Sequence, residues 1–214
     1  MIRFGTNPIA WANDYDPSIG AHIPTALILD EAGRQIGFDG IENGHRWPDD
    51  PEALRALLAG YGLRFVSGWY SSELLRRPVD EEIAAVQGHL AKPKHNGCKV
   101  CIVCETTHAI HCEPDRPMQH RPVLTEGQMR DFGQKLEAFA AYLASEGVTL
   151  VYHHHMGTII ETPEDIDALM AATGPHVQLL FDAGHCAFGG GDPEALLCRH
   201  IGRVRHFHAK NIRP

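Results

Sequence analysis

The chain has 214 residues, 43% of them hydrophobic, enough to fill the core of one sizeable domain. A net charge of -8 with neutral histidines opposes binding to a phosphate backbone, and no stretch approaches the roughly 20 apolar residues that a membrane span needs. The start, Met1-Ile-Arg-Phe-Gly5, lacks the charged-then-apolar pattern of a secretion signal, so the expectation is a cytoplasmic protein, without nucleic-acid or membrane partners, whose six cysteines are reduced.

In chain order, β-rich runs span 2–10 and 38–43. Asp50-Pro51-Glu52 then opens a helix with a capping oxygen, a proline whose missing N–H costs nothing in the first turn, and an early carboxylate at the positive helix end. A third strand is predicted at 64–70. The helical stretch after Asp80 is predicted to stop near Leu90, because Pro93 interrupts it. Strand four, 99–105, is followed by a long loop, 106–122, that holds three prolines and three histidines and reads as a lid or binding loop. Thr125 and Gln128 form a capping box ahead of an apolar stripe of Phe132, Leu136, Phe139, Ala140 and Leu143, and Gly147 ends that helix. Strands at 149–155, 177–182 and 204–210 alternate with helices that open at Thr162-Pro163-Glu164 and Asp192-Pro193-Glu194.

Most of these strands are apolar throughout, the pattern of a parallel sheet covered on both faces. Without a glycine-rich dinucleotide fingerprint, the repeated units predict a single α/β domain over 1–214, a (β/α)8 barrel of the TIM type. Seven strands fall one short, so the expectation is a barrel truncated at its C-terminus and lacking its last helix, strand and helix.

In such barrels the working groups collect at the C-terminal ends of strands. Here those ends offer Asn7 and Trp11, Glu42, Trp69, Glu105, the run His153-His154-His155, Asp182 with His185, and finally His206, His208 and Lys210. Asp182 and His208 each end an apolar strand that has no use for a polar group. One such residue is more often a loop cap or a hydrogen-bonded core histidine. Two at consecutive strand ends suit a divalent ion such as Mn²⁺, Co²⁺ or Zn²⁺. Alternation puts His153 and His155 on one face of strand five and His154 on the other. Burying three imidazoles without a role would cost roughly 1–3 kcal/mol each if unpaired. The spacing Cys98-x-x-Cys101-x-x-Cys104 invites a metal cluster, but on a strand the middle sulfur points away, so the three read as small buried hydrophobes. Trp11, Trp47 and Trp69 read either as core or as a wall for the C–H face of a ring.

The stretches Gly5-Thr-Asn-Pro-Ile-Ala-Trp11, Gly37-Phe-Asp-Gly-Ile-Glu-Asn43, Val66-Ser-Gly-Trp-Tyr70, Tyr152-His-His-His-Met-Gly-Thr158, Leu180-Phe-Asp-Ala-Gly-His185 and His206-Phe-His-Ala-Lys210 closely resemble the myo-inosose-2 dehydratase family of the xylose-isomerase-like barrels. The resemblance implies a hydro-lyase of inositol catabolism acting on a small polyol-ketone, with a divalent metal, Mn²⁺ or Co²⁺ before Zn²⁺. Its ligands by position are His153, where the wider superfamily has Glu, then Asp182 and His208. The superfamily's strand-eight Glu has no counterpart, and Asn211 follows Lys210 where the family implies Asp. The implied chemistry is loss of an α-proton to Glu42, Glu105 or His155, with Lys210 or His185 as acid or oxyanion partner. Asn7, Trp11, Trp69 and His206 are the expected substrate contacts. The alternatives are a ketose epimerase or isomerase of the same superfamily, which returns the proton, and a binding module that folds by pairing with another subunit, a homo-oligomer included.

Overall fold

The computed structural model of the chain describes residues 2–212; Met1, Arg213 and Pro214, the outermost residues of the expected 1–214 domain, lie outside the described residues. Two compact units are present. The first comprises the chain up to Trp69 together with Gly88–Val100, and the second comprises Tyr70–Gln87 and the chain from Cys101 onward. Among the described residues, no helix is long and apolar enough to cross a membrane.

The first unit holds β1 (Gly5–Thr6), α1 (Thr25–Asp30), β2 (Gly40–Ile41), α2 (Pro51–Ala59) and β3 (Arg64–Phe65). The strands form a parallel sheet in the order β1-β2-β3, with Gly5 opposite Gly40 and Gly40 opposite Arg64. Only glycine fits at position 40, since a Cβ there would stand 2.3 Å from Val66 Cγ1 and 2.6 Å from the Arg64 carbonyl. The run 2–10 is strand for two residues only, because Pro8 turns the chain into a 3₁₀ turn capped by Asn7. α1 continues into a wider π-helical turn over Glu31–Ile36. The Asp50 side chain accepts from Ala53 N–H at 2.7 Å and starts α2, whose Leu54 and Leu58 pack with Ile28, Leu29, Ile41 and Trp47 in one core.

In the second unit β4 (Trp69–Ser72), α3 (Val79–His95), β5 (Val100–Glu105), α4 (Glu126–Ser145), β6 (Thr149–His153), α5 (Pro163–Ala172), β7 (Gln178–Asp182), α6 (Ala183–Phe188), α7 (Pro193–His200) and β8 (Val204–His208) follow, although Trp69, the end of α3 and Val100 belong to the first unit. The five strands order as β4-β5-β6-β7-β8, and the β6–β7 and β7–β8 pairs are parallel. The expected strand 64–70 is two strands, β3 and β4, separated by Val66–Gly68. The expected stop near Leu90 is also corrected. α3 runs through Pro93, which lies so near the helix end that little of the hydrogen-bond ladder is lost, and Asn96 N–H still reaches the Lys92 carbonyl at 3.1 Å. α4 starts at the predicted capping box and buries the predicted stripe. Its Gly133 meets the end of α5 so closely that a Cβ would stand 2.4 Å from the Ala172 carbonyl.

One irregularity positions the chemistry. The β7–β8 register shifts between Leu179 and Leu180, pairing Leu179 with Val204 but Leu180 with His206. This bulge skips Arg205 and brings His208 opposite Asp182; an unbroken register would set Phe207 there.

Candidate functional site

His153 and Asp182 end β6 and β7, and His208 ends β8, so three strand ends supply two imidazoles and a carboxylate. One ligand atom from each lies within 4.8 Å of the other two. Asp182 Oδ2 stands 3.4 Å from His153 Nε2, 3.3 Å from His208 Nδ1 and 2.8 Å from Lys210 Nζ. Its Oδ1 accepts from the backbone N–H of His185 at 2.9 Å and caps α6. The same carboxylate therefore serves both as a helix cap and as a charge in a polar cluster.

Burial works to raise the Asp182 carboxyl, but hydrogen bonds from His153 and His208, and the charge of Lys210, hold it well below the ordinary range. Burial also drives the imidazoles toward their neutral forms: His153 falls well below its usual value, His154 to about 4, His155 to about 3 and His185 to about 2. Neutral imidazole and ionised carboxylate are the forms a divalent cation needs from these ligands, and the mixed nitrogen and oxygen donor set fits such a cation.

Around this cluster stand further predicted groups. The His155 ring centroid lies 3.9 Å from that of His185 and 5.4 Å from that of His153, and Lys210 Nζ is 3.0 Å from His185 Nε2. His206 lies beside His208, with ring centroids 5.4 Å apart. His154 faces away from His153 and His155, as alternation requires. Its ring packs against Phe181 with centroids 5.8 Å apart, and its Nε2 accepts the backbone N–H of Asp182 at 3.1 Å.

Glu105 is fully buried, and burial raises its carboxyl despite bonds from Thr107 and Ser72. The Thr107 N–H donates to it at 2.8 Å within the turn after β5, and the Ser72 hydroxyl donates at 3.1 Å and ties β4 to β5. Asn7, Trp11, Glu42 and Trp69 belong to the first unit. There Asn7 Nδ2 donates to Glu42 Oε2 at 2.7 Å and Trp11 Nε1 donates to Glu31 Oε2 at 2.5 Å, while Trp69, half-buried, begins β4. The three cysteines of the 98–104 run are buried and unbridged.

Sequence reasoning missed His111. It sits in the 106–122 loop with its ring 5.1 Å from that of His155, edge to face, and Ile110 N–H donates to the Gly157 carbonyl at 2.8 Å. The far end of the loop is held by Arg121, which pairs with Glu161 at 3.3 Å and Asp165 at 2.8 Å. The loop's three histidines were visible in the sequence; nothing there distinguishes His111 from His108 and His120.

The family model for the xylose isomerase-like TIM barrel matches residues 31–214. The chain is 42% identical over 212 residues to the rhizopine catabolism protein MocC of Rhizobium meliloti, covering 99% of this chain and 65% of that protein. It is 36% identical over 214 residues to the inosose dehydratase of Geobacillus thermodenitrificans, covering 99% of this chain and 72% of that enzyme. The crystal structure of the probable 3-DHS dehydratase AsbF from Bacillus anthracis superposes with a TM-score of 0.72 at 14% identity, over all of this chain and 74% of that one, which speaks for the fold. The chain belongs to the xylose isomerase-like TIM barrel family and, within it, to the family of the inosose dehydratases.

Proposed function

We propose that this protein is a hydro-lyase that removes water from 2-keto-myo-inositol to give a trihydroxycyclohexanedione in inositol breakdown. The observation that carries the reading is its 36% identity, over 99% of its own length, to an enzyme named for that chemistry.

His153, Asp182 and His208 would hold the divalent ion, Mn²⁺ or Co²⁺ for preference. When bound, such an ion supplies Lewis acidity that makes the C–H beside a ketone more acidic. His155 is the proposed base. Its Nδ1 lies 2.9 Å from the Met156 carbonyl, which can only accept, so the proton resides on Nδ1 and the lone pair on Nε2. Lys210 is the proposed acid that protonates the departing hydroxyl. His185, whose Nδ1 faces the Met156 N–H at 3.4 Å and whose Nε2 lies 3.0 Å from Lys210 Nζ, is the proposed group that positions Lys210; the proton gained at His155 leaves to solvent and Lys210 regains one from solvent after elimination. His206 is the proposed contact for a substrate hydroxyl.

The test is incubation of metal-loaded and metal-stripped protein with 2-keto-myo-inositol, following ultraviolet absorbance of the conjugated product. A rise in the loaded sample alone is expected. Conversion to an isomer without loss of water would replace the dehydratase with an epimerase.

A further inference from the structure

We propose that His154 is a positioning residue for the Asp182 carboxylate, an inference that rests on reading His153, Asp182 and His208 as the metal site. The β6–β7 register partners end with His153 opposite Leu180, while Asp182 lies two residues further along β7. Its backbone N–H is taken by a side chain, His154 Nε2 at 3.1 Å. The imidazole thus adds one rung beyond the last paired residues of β6. His154 and Asp182 are both fully buried, so water does not compete for this bond.

Three anchors then fix the carboxylate. His154 holds the backbone nitrogen of Asp182, the N–H of His185 holds Oδ1, and the β7–β8 pairing holds the strand against His208, which leaves Oδ2 aimed at His153 and His208. Packing alone does not explain an imidazole here. An apolar ring would lie against Phe181 equally well and would avoid burying a nitrogen. Because Nε2 accepts, Nδ1 carries the proton, and this buried Nδ1 has no hydrogen-bond partner among the described residues. The side chain therefore bears an unsatisfied donor, which burial makes costly, and the hydrogen bond it makes among the described residues is with the backbone of the proposed ligand.

The experiment uses the full chain and three variants: His154→Leu, His154→Asn and His154→Gln. A glutamine carbonyl reaches the place of Nε2, whereas asparagine carries the same amide one carbon short. Mn²⁺ affinity is measured by calorimetric titration. Exchange of the Asp182 amide proton is followed by NMR in the metal-free proteins. The expected result is binding weakened ten- to a hundred-fold in the leucine and asparagine variants, with fast amide exchange in both. Glutamine is expected to restore affinity to within a few-fold, together with slow exchange.

If leucine fails to fold, the asparagine and glutamine pair makes the same comparison. Equal affinities across the foldable variants, or equal losses in asparagine and glutamine, overturn the proposal. Asp182→Asn separates the two levels. Undiminished Mn²⁺ binding in that variant, or none in the unsubstituted chain, overturns the metal-site reading and His154's role with it. Lost binding there, beside unchanged binding in all His154 variants, overturns the positioning role alone.

Discussion

Asp182 and His208 face each other across the β7–β8 ladder as register partners, with Oδ2 3.3 Å from Nδ1, only because the bulge past Arg205 displaces Phe207 from that place. The other carboxylate oxygen caps α6, so the charge and the cap of Asp182 can be separated by substitution. Asp182→Asn keeps an oxygen for the His185 N–H but removes the anion. It should retain the melting temperature to within a few degrees and lose at least a hundred-fold in metal-dependent turnover. Asp182→Ala should lose the same activity and about 1 kcal/mol of stability besides. Comparable turnover in the two variants and the parent would remove Asp182 from the chemistry.

His111 offers a different separation. Its ring meets that of His155 edge to face, 5.1 Å between centroids, and it stands on the 106–122 loop rather than at a strand end. Replacing it with alanine should lower kcat/KM for 2-keto-myo-inositol by about ten-fold, a loss of about 1.4 kcal/mol, while the Mn²⁺ dissociation constant stays within two-fold. A parallel loss of metal affinity would show that His111 acts on the ion site instead.

The strand-end residues were legible in the sequence because a charge at the end of an apolar run is conspicuous, and strict alternation was enough to set His154 apart from His153 and His155. The bulge was not. Val204-Arg-His-Phe-His208 alternates well enough to read as a regular strand, and only pairing with β7 shows that Arg205 is skipped. Asp182 read as either a cap or a charge, and its two oxygens do both. Pro93 misled because the rule against helix-interior proline weakens within a turn of the helix end, where little of the ladder remains to be broken.

Arg121 is nearly buried, at 12% side-chain exposure, and bridges Glu161 and Asp165. Glu161 in turn accepts the Gly157 N–H at 2.6 Å, so the end of the 106–122 loop is tied to the turn that follows the histidine run. Arg121→Ala leaves two carboxylates without their cation and should cost about 2 kcal/mol. Limited proteolysis should then cut within 106–122 faster than in the parent. Unchanged cleavage would mean that the Ile110–Gly157 bond suffices to hold the loop.

Glu137 links α4 to the start of β7. Burial works to raise its carboxyl, but the His176 side chain at 2.7 Å and the N–H groups of His176 and Val177 outweigh it and depress the value. A depressed carboxyl stabilises the fold above the ordinary glutamate value of 4.5 and loses that contribution as pH falls through the lower folded value. Glu137→Gln should therefore flatten the decline in melting temperature below pH 5. An identical acid limb in parent and variant would rule out this linkage.

Two helix glycines test whether packing or propensity governs. Alanine is the better helix former by about 1 kcal/mol, so in open space Gly→Ala stabilises. At Gly88, inside α3, nothing lies within 4 Å of an added Cβ, and Gly88→Ala should raise stability by about that amount. At Gly133 the new methyl would stand 2.4 Å from the Ala172 carbonyl and 2.8 Å from the Ala172 Cβ, the first of them backbone that cannot rotate away. Pushing α4 off the end of α5 should cost about 1–3 kcal/mol and reverse the sign despite the gain in propensity. Denaturant unfolding of both variants decides the matter. A stabilised Gly133→Ala protein would mean that the two helices yield easily, whereas opposite signs would identify the close approach of α4 to α5 as the reason this helix carries a glycine on its buried face.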